Sequence, residues 1–304
     1  MPEDDLRVEI EPIPIAEIEK ALRYKHDAQI DDLAAEYADY SGLPFEEIRK
    51  MLKTNGSEPH FPDGLFDEED EFLISLLQAD VALPHLRGRT QLALSVARTL
   101  PLETFLDYGA GLGRDCIAFA RFGYDCFHAD LLGRQTEFAA WRYQVRDLKV
   151  EIGDVRELPD RKFDAVSCYD VLEHVPDPVG LLADLAWHVA PGGVLFIAVD
   201  LYNLQPPHLV KNSVYGPVWR EILETAGLTF AGGNPSPVLA AAAGDMQIYH
   251  KDEGRRDPTT QKLAAKCFET ALRLLGEQRD IHNHEMEMIR ATLEYLQGLK
   301  ARSR

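Results

Sequence analysis

Hydrophobic positions in the first hundred residues repeat at helical spacing. Ile18, Leu22, His26, Ile30 and Leu33 mark one stripe, which predicts a single amphipathic helix from about Ile15 to Tyr40, with Ser41-Gly-Leu-Pro44 as its stop. A shorter helix over Phe45–Leu52 follows, then turn chemistry at Asn55-Gly-Ser57 and Phe61-Pro-Asp-Gly64. The acidic stretch Asp67–Glu71 opens a further helix through Phe72, Leu73, Leu76 and Leu77, and another apolar pattern runs from Leu92 to Leu100.

From Glu103 the period changes. Short apolar runs alternate with helical stretches, the pattern of a parallel sheet covered on both faces. Strands are predicted at Thr104–Asp107, Asp125–His128, Lys149–Ile152, Phe163–Cys168, Val194–Val199, Leu228–Ala231 and Met246–Lys251. Helices fit between them at Arg114–Phe122, Arg134–Val145, Pro178–Val189 and Tyr215–Ala226. The last two strands are joined by a Gly-, Pro- and Ala-rich segment too short for an ordinary crossover helix, which suggests an antiparallel hairpin. The tail from Pro258 to Leu299 returns to a helical stripe through Leu263, Cys267, Ala271, Leu274 and Leu275. The expected division is an N-terminal helical cap (1–100), a doubly wound α/β core (101–252) and a C-terminal helical extension (253–304).

Composition narrows the function. The chain of 304 residues is 45% hydrophobic and 27% charged, which suits a soluble fold with a substantial core. With 51 acidic against 32 basic residues it carries a formal charge of −19, so a broad phosphate-tracking surface and a nucleic-acid substrate are not expected. The four cysteines form no CxxC pair, and His282 and His284 in the tail have the wrong spacing to share a helix face, so no metal site is expected. The acidic N-terminus leads into no apolar run of membrane-spanning or signal-peptide length. A cytoplasmic location without a membrane partner is the expectation. The apolar stripes of the terminal helices would serve a homodimer, or equally cover the core.

Candidate chemistry gathers at the ends of the predicted strands. Phe105-Leu-Asp107-Tyr-Gly109-Ala-Gly111-Leu-Gly113 puts a glycine turn directly after a strand and before a helix, where backbone amides can approach a ligand. The dinucleotide fingerprint wants Gly-x-Gly-x-x-Gly; here the glycines alternate and follow an acid, which suits an ammonium rather than a pyrophosphate and fits a dehydrogenase poorly. Asp130, about twenty residues further on and at the next strand end, can accept from both hydroxyls of a ribose. Asp154, in Gly153-Asp-Val155, can accept from an exocyclic amine while Val155 offers apolar contact to a ring. Each acid alone reads equally well as a helix cap or loop residue. Three in order at strand ends point to one site.

These motifs resemble the class I S-adenosylmethionine (SAM) dependent methyltransferases of the small-molecule type, including the ubiquinone-pathway O-methyltransferases. The resemblance covers roughly residues 103–200. It rests on Leu106–Gly113, Gly153-Asp154, Phe163-Asp-Ala-Val-Ser-Cys-Tyr-Asp170-Val-Leu-Glu-His-Val175 and Leu185 through Ala190-Pro-Gly-Gly-Val194. It implies a mostly parallel seven-stranded, Rossmann-like sheet with SAM as cofactor. Asp107, Gly109 and Gly111 would line the methionine moiety, Asp130 the ribose, Asp154 with Val155 the adenine, Leu131 would be a further cofactor contact, and Tyr169 would touch the cofactor from below. Tyr108 and Ala110 depart from the commonest residues of the family at their positions.

Methyl transfer from a sulfonium is an in-line displacement, so it needs positioning and, for a hydroxyl or amine acceptor, removal of a proton. His174, following the fourth strand, is of the residue type whose unperturbed pKa suits a general base, and reads equally well as an orienting or packed residue. Tyr202, Asn203, His208 and Tyr215, beyond the fifth strand, and Tyr24 with His26 in the N-terminal helix are candidate contacts to the acceptor. The expected activity is methyl transfer to oxygen, or secondarily nitrogen, of a small molecule. The rivals are a SAM-fold enzyme with non-methylating chemistry and a non-catalytic subunit that binds a protein partner.

Overall fold

The computed structural model describes residues 13–25, 29–53, 68–201, 208–216, 218–232 and 246–252. The predicted tail extension, with His282 and His284, lies outside the described residues, as do His26, Tyr202 and Asn203.

Seven strands form one sheet in the order β3-β2-β1-β4-β5-β7-β6. They are β1 (Thr104–Tyr108), β2 (Asp125–Asp130), β3 (Val150–Asp154), β4 (Phe163–Tyr169), β5 (Val189–Ala198), β6 (Leu228–Gly232) and β7 (Gln247–Lys251). β1 pairs in parallel with β2 and β4, β2 with β3, and β4 with β5, whereas β7 runs antiparallel to β5. The order reverses between β1 and β4, and a ligand crevice belongs outside the carboxyl ends of the strands at such a reversal. The strands predicted from apolar runs all form. β6 and β7 are sheet neighbours, as expected of a short connection.

The N-terminal reading needs correction. In place of one helix over Ile15–Tyr40 there are two, α1 (Ile15–Leu22) and α2 (Gln29–Ser41). Arg23 leaves α1 in an extended conformation, and the Lys25 amide donates to Asp32 Oδ1 at 2.8 Å. The apolar spacing runs on in phase across the break, which is why periodicity alone misses it. The helices α3 (Phe45–Leu52), α4 (Glu68–Ala82) and α5 (Pro84–Thr99) complete this region. Between strands lie α6 (Arg114–Arg121), α7 (Arg134–Gln144), α8 (Pro178–His188) and α9 (Trp219–Thr225).

Two further boundaries differ from expectation. The helix predicted over Tyr215–Ala226 forms only as α9, and Tyr215 instead closes a separate 3-10 helix at Val210–Tyr215; Gly216, a weak helix former, follows it. β5 begins at Val189 rather than Val194, running through Ala190-Pro-Gly-Gly193 by a register shift opposite Phe163–Ala165. A Cβ on Gly193 would fall on the Asp164 and Ala190 carbonyl oxygens, so the shift depends on glycine there.

The chain divides into two compact units. The first holds the described residues as far as Tyr169, with His188–Ala198 and Phe230–Asp252; the second holds Asp170–Trp187 and the described part of Val199–Thr229. In the first, Phe105, Ile117, Phe119, Ala165 and Phe196 join Leu92, Leu94 and Ile18 in one core, with the Phe105 and Phe119 rings stacked at 3.7 Å. A neighbouring cluster ties α2, α3 and α4 to Phe138 of α7. Between them a buried ionic group links helix to core: Arg142 Nε donates to Glu36 Oε2 at 2.6 Å, Arg146 pairs with the other oxygen, and Arg142 Nη1 donates to the Leu112 carbonyl at 2.6 Å.

Candidate functional site

β1 is buried on both faces and delivers Asp107 into the protein at 3% exposure. Its register partners are His128 on β2 and Ser167 on β4, and Ser167 Oγ donates to Asp107 Oδ1 at 2.7 Å. Burial, with the charge of Asp115 second, holds the Asp107 carboxyl well above the usual carboxylate range; the Ser167 hydrogen bond and Arg114 act the other way.

The glycine turn then bends the chain into α6. Gly109, Gly111 and Gly113 have φ of 74°, 52° and 74°, values costly for a residue with a side chain. The turn's amides, expected to approach a ligand, donate within the protein. Gly109 and Ala110 donate to the Ala129 carbonyl at 2.8 and 3.1 Å, and Gly111 donates to Asp130 Oδ2 at 2.7 Å. What the turn offers a ligand is room, since a Cβ on Gly111 would meet nothing within 4 Å. At Gly113 it would fall on the Tyr143 hydroxyl, so that glycine serves packing.

Asp130 and Asp154 close β2 and β3 and are register partners. The second Asp130 oxygen accepts from the Leu131 amide at 2.7 Å, and burial raises this carboxyl against the pull of these donors. Leu131, 53% exposed, extends from it into open space. Asp154 is bound by Arg156, whose Nε donates at 2.8 Å and whose amide donates at 2.9 Å, and this holds its carboxyl down at about 2. An amine reaching Asp154 must share it with that guanidinium. Val155 is half-buried, its amide on the Asp130 carbonyl at 3.0 Å.

Tyr169 ends β4 with its hydroxyl buried and without a hydrogen-bond partner. Over its ring lies the buried guanidinium of Arg89, 5.6 Å from the centroid. Arg114 is anchored nearby, by Asp80 and Asp115 at 2.8 Å each, and Asp115 also accepts from Thr90 at 2.6 Å. Burial pushes the Tyr169 hydroxyl well above its ordinary value, and Asp115 and Asp107 raise it further, while Arg89 and Arg114 act the other way. Sequence reasoning missed Arg89 and Ser167. Arg89 lies on α5, outside every motif, and Ser167 reads as one polar residue in an apolar strand.

Tyr24 is placed at the helical cap, its hydroxyl donating to Asp39 at 3.0 Å and its ring edge-on to Trp141 at 5.6 Å.

The second unit holds His174, His208 and Tyr215. Its chain leaves β4 through Asp170 at φ 53°. The His174 and His208 rings meet edge to face at 4.7 Å. Glu173, 1% exposed, keeps Oε2 without a hydrogen-bond partner, and burial with Asp170 and Asp200 nearby pushes its carboxyl up to about 7. Asn212 Nδ2 donates to the carbonyls of Leu172, Glu173 and Val175 at 3.1, 3.2 and 2.8 Å, and clamps this segment. The sequence reading gives neither Glu173 nor Asn212 a role. The adjacency of Glu173 to His174 was the available signal for the first; Asn212 had none. Tyr215 is half-buried at the end of the 3-10 helix.

A seven-stranded sheet with one antiparallel strand, a glycine turn after a buried acid and further acids at successive strand ends define the class I SAM-dependent methyltransferases. The chain belongs to the methyltransferase-domain family, which it matches over residues 78–231. It is 33% identical over 104 residues to a ubiquinone biosynthesis O-methyltransferase of Xanthomonas campestris pv. campestris, a match covering 33% of this chain and 44% of that protein. A protein of the same name from Xylella fastidiosa is 31% identical over 110 residues, 34% of this chain and 45% of that one. The chain thus spans less than half the length of these curated relatives. Among solved structures, an S-adenosylmethionine-dependent methyltransferase from Clostridium acetobutylicum is 15% identical with a TM-score of 0.45, over 60% of this chain and 97% of that one.

The residues fit the cofactor of this family. The space before Gly111 suits a close approach, the Asp107–Arg89 surroundings match an ammonium and a carboxylate, and the unpartnered Tyr169 hydroxyl is a donor in need of an acceptor. No described helix is long and apolar enough to cross a membrane.

Proposed function

We propose that the protein transfers the methyl group of SAM to an oxygen of a small-molecule acceptor, leaving S-adenosylhomocysteine. The observation that carries this reading is the acids at the ends of adjacent strands, Asp107 in β1 and the register pair Asp130 and Asp154, with the Gly111 amide on Asp130 and no atom within 4 Å of where a Cβ on Gly111 would lie. Asp107 would hold the ammonium and Arg89 the carboxylate of the methionine end. Asp130 with Leu131 would hold the ribose, and Asp154 with Val155 the adenine.

Bound SAM supplies an electrophilic methyl on a sulfonium, so the protein's share of the reaction is to orient the acceptor, exclude water and manage its proton. Oxygen is preferred as the acceptor because the relatives named above are O-methyltransferases, and nitrogen is second. We assign the acceptor's proton to the Glu173–His174–His208 group rather than to one isolated imidazole. Tyr24, Tyr215 and the sequence candidates His26, Tyr202 and Asn203 remain proposed acceptor contacts. A homodimer and a cytoplasmic location stay part of the proposal.

The test is calorimetric titration of the full chain with SAM, S-adenosylhomocysteine and NAD, beside Asp130→Ala. Micromolar binding of the first two, lost in the variant, is expected, followed by label transfer from methyl-labelled SAM to members of a panel of phenols, hydroxy acids and amines. Binding of NAD instead, or turnover without S-adenosylhomocysteine, would overturn it.

A further inference from the structure

The helical cap of the first unit encloses a cavity of about 590 Å³, open in part to solvent. That size lies within the range of small-molecule sites. Residues of α1, α2, α4, α5 and α7 all contribute to its wall. None of the lining residues is assigned above to the cofactor or to the acceptor.

The wall carries both signs of charge. Arg23, Arg87 and Arg142 line it, and so do Glu19, Asp32, Glu36 and Asp80. Two of these acids are matched within the protein: Glu36 holds Arg142 at 2.6 Å, and Asp80 accepts from Arg114 at 2.8 Å. Arg87 differs, because its Nη1 is buried with no hydrogen-bond partner among the described residues. A guanidinium nitrogen can only donate, so this group calls for an acceptor oxygen. A ligand that was an anion and nothing else would be opposed by Asp32, buried in the floor at 4% exposure, and by half-buried Glu19. A ligand bearing a cation as well matches both signs. The floor is already fixed: Gln29 Nε2 donates to the Asp80 carbonyl at 3.0 Å, Asp32 Oδ1 accepts from the Lys25 amide at 2.8 Å, and Arg142 reaches the Leu112 carbonyl at 2.6 Å.

We propose that this cavity is a second small-molecule site, separate from the cofactor's, and that it takes a zwitterionic carboxylate of the free amino-acid class. The carboxylate sits on Arg87, whose planar guanidinium suits a carboxylate, and the ammonium turns to Asp32 and Glu19. Leu22 and Leu33, the apolar part of the wall, are left for the ligand's carbon skeleton. The site needs no bound SAM, so the inference stands independently of the methyltransferase reading.

The experiment titrates the ¹⁵N-labelled full chain by NMR with L-serine, L-leucine and 4-aminobutyrate, and with acetate and methylammonium as the two halves of the ligand. At least one zwitterion is expected to bind at a single site, with either half at least about tenfold weaker. Arg87→Gln should weaken binding by about 10–100-fold, and Arg87→Lys should recover part of it. In the wild-type chain the bound zwitterion should slow amide exchange in α1 and α2, a readout independent of whether any variant folds. Binding should also persist when S-adenosylhomocysteine is saturating, because displacement would put the probe at the methionine end of the cofactor site and overturn the assignment. No zwitterion bound, acetate bound equally well, or affinity undiminished in Arg87→Gln would overturn it too. Zwitterion binding by a chain that does not bind S-adenosylhomocysteine defeats the methyltransferase reading alone, and the converse result defeats this inference alone.

Discussion

Asp107 is a carboxylate raised by burial in a strand. The native state therefore keeps its proton where the unfolded chain has lost it, so its contribution to stability is full at low pH and declines as pH rises. An arriving ammonium favours the charged form and reverses that penalty. Binding of S-adenosylhomocysteine should release a proton at neutral pH and strengthen as pH rises, read by titration in two buffers of different ionisation enthalpy. Asp107→Asn should abolish the release and weaken binding by roughly 10–100-fold, the worth of a charge-assisted hydrogen bond; proton release persisting in the variant would defeat the assignment. His128 shows the opposite sign. Burial lowers its imidazole to about 4, with Nδ1 on the Tyr143 hydroxyl at 2.7 Å. Its contribution is full above the unfolded value near 6.5 and is lost as pH falls toward 4. Urea unfolding should show about 2 kcal/mol lost between pH 7 and pH 5, and His128→Gln should flatten that limb; an equal loss in the variant would place the effect elsewhere.

Among elements, the glycine turn separates two demands that look alike in sequence. Gly113 and Gly111 both have positive φ, but only Gly113 faces a side chain across a closed contact. Gly113→Ala should cost about 2–4 kcal/mol in denaturant melts, combining backbone strain with overpacking. Gly111→Ala should cost about 1–2 kcal/mol of strain yet abolish most cofactor affinity, because its methyl would occupy the open space. The reverse pattern would mean that the ligand lies elsewhere. The turn and its acids were legible because parallel strands buried on both faces read as short apolar runs, and ligands gather at their carboxyl ends. The break between α1 and α2 was not legible, since Ile18, Leu22, Ile30 and Leu33 keep one phase through it. Nor was the early start of β5, where Pro191-Gly192-Gly193 imitates a loop while the ladder continues past a shift.

On the scale of the whole molecule, distant pairings decide what sequence order hides. Glu36 on α2 reads as one more polar position on an amphipathic helix, yet it is fully buried between Arg142 and Arg146 of a later segment. Arg89 likewise meets Tyr169 only through the fold. Local spacing carries no trace of either contact, whereas His174 and the strand-end acids sit inside continuous motifs. Glu36→Gln should leave two buried guanidiniums without a counter-charge and cost about 3–5 kcal/mol in equilibrium unfolding. A cost below about 1 kcal/mol, the level of an exposed pair, would mean that solvent reaches them.

Arg142 grips Glu36 with one nitrogen and the carbonyl of Leu112, inside the glycine turn, with another. A single guanidinium thereby makes the turn's resting shape a property of α2. Linkage between sites is reciprocal, so whatever steadies the turn must slow amide exchange in α2, and loosening α2 must tax ligand affinity by the same free energy.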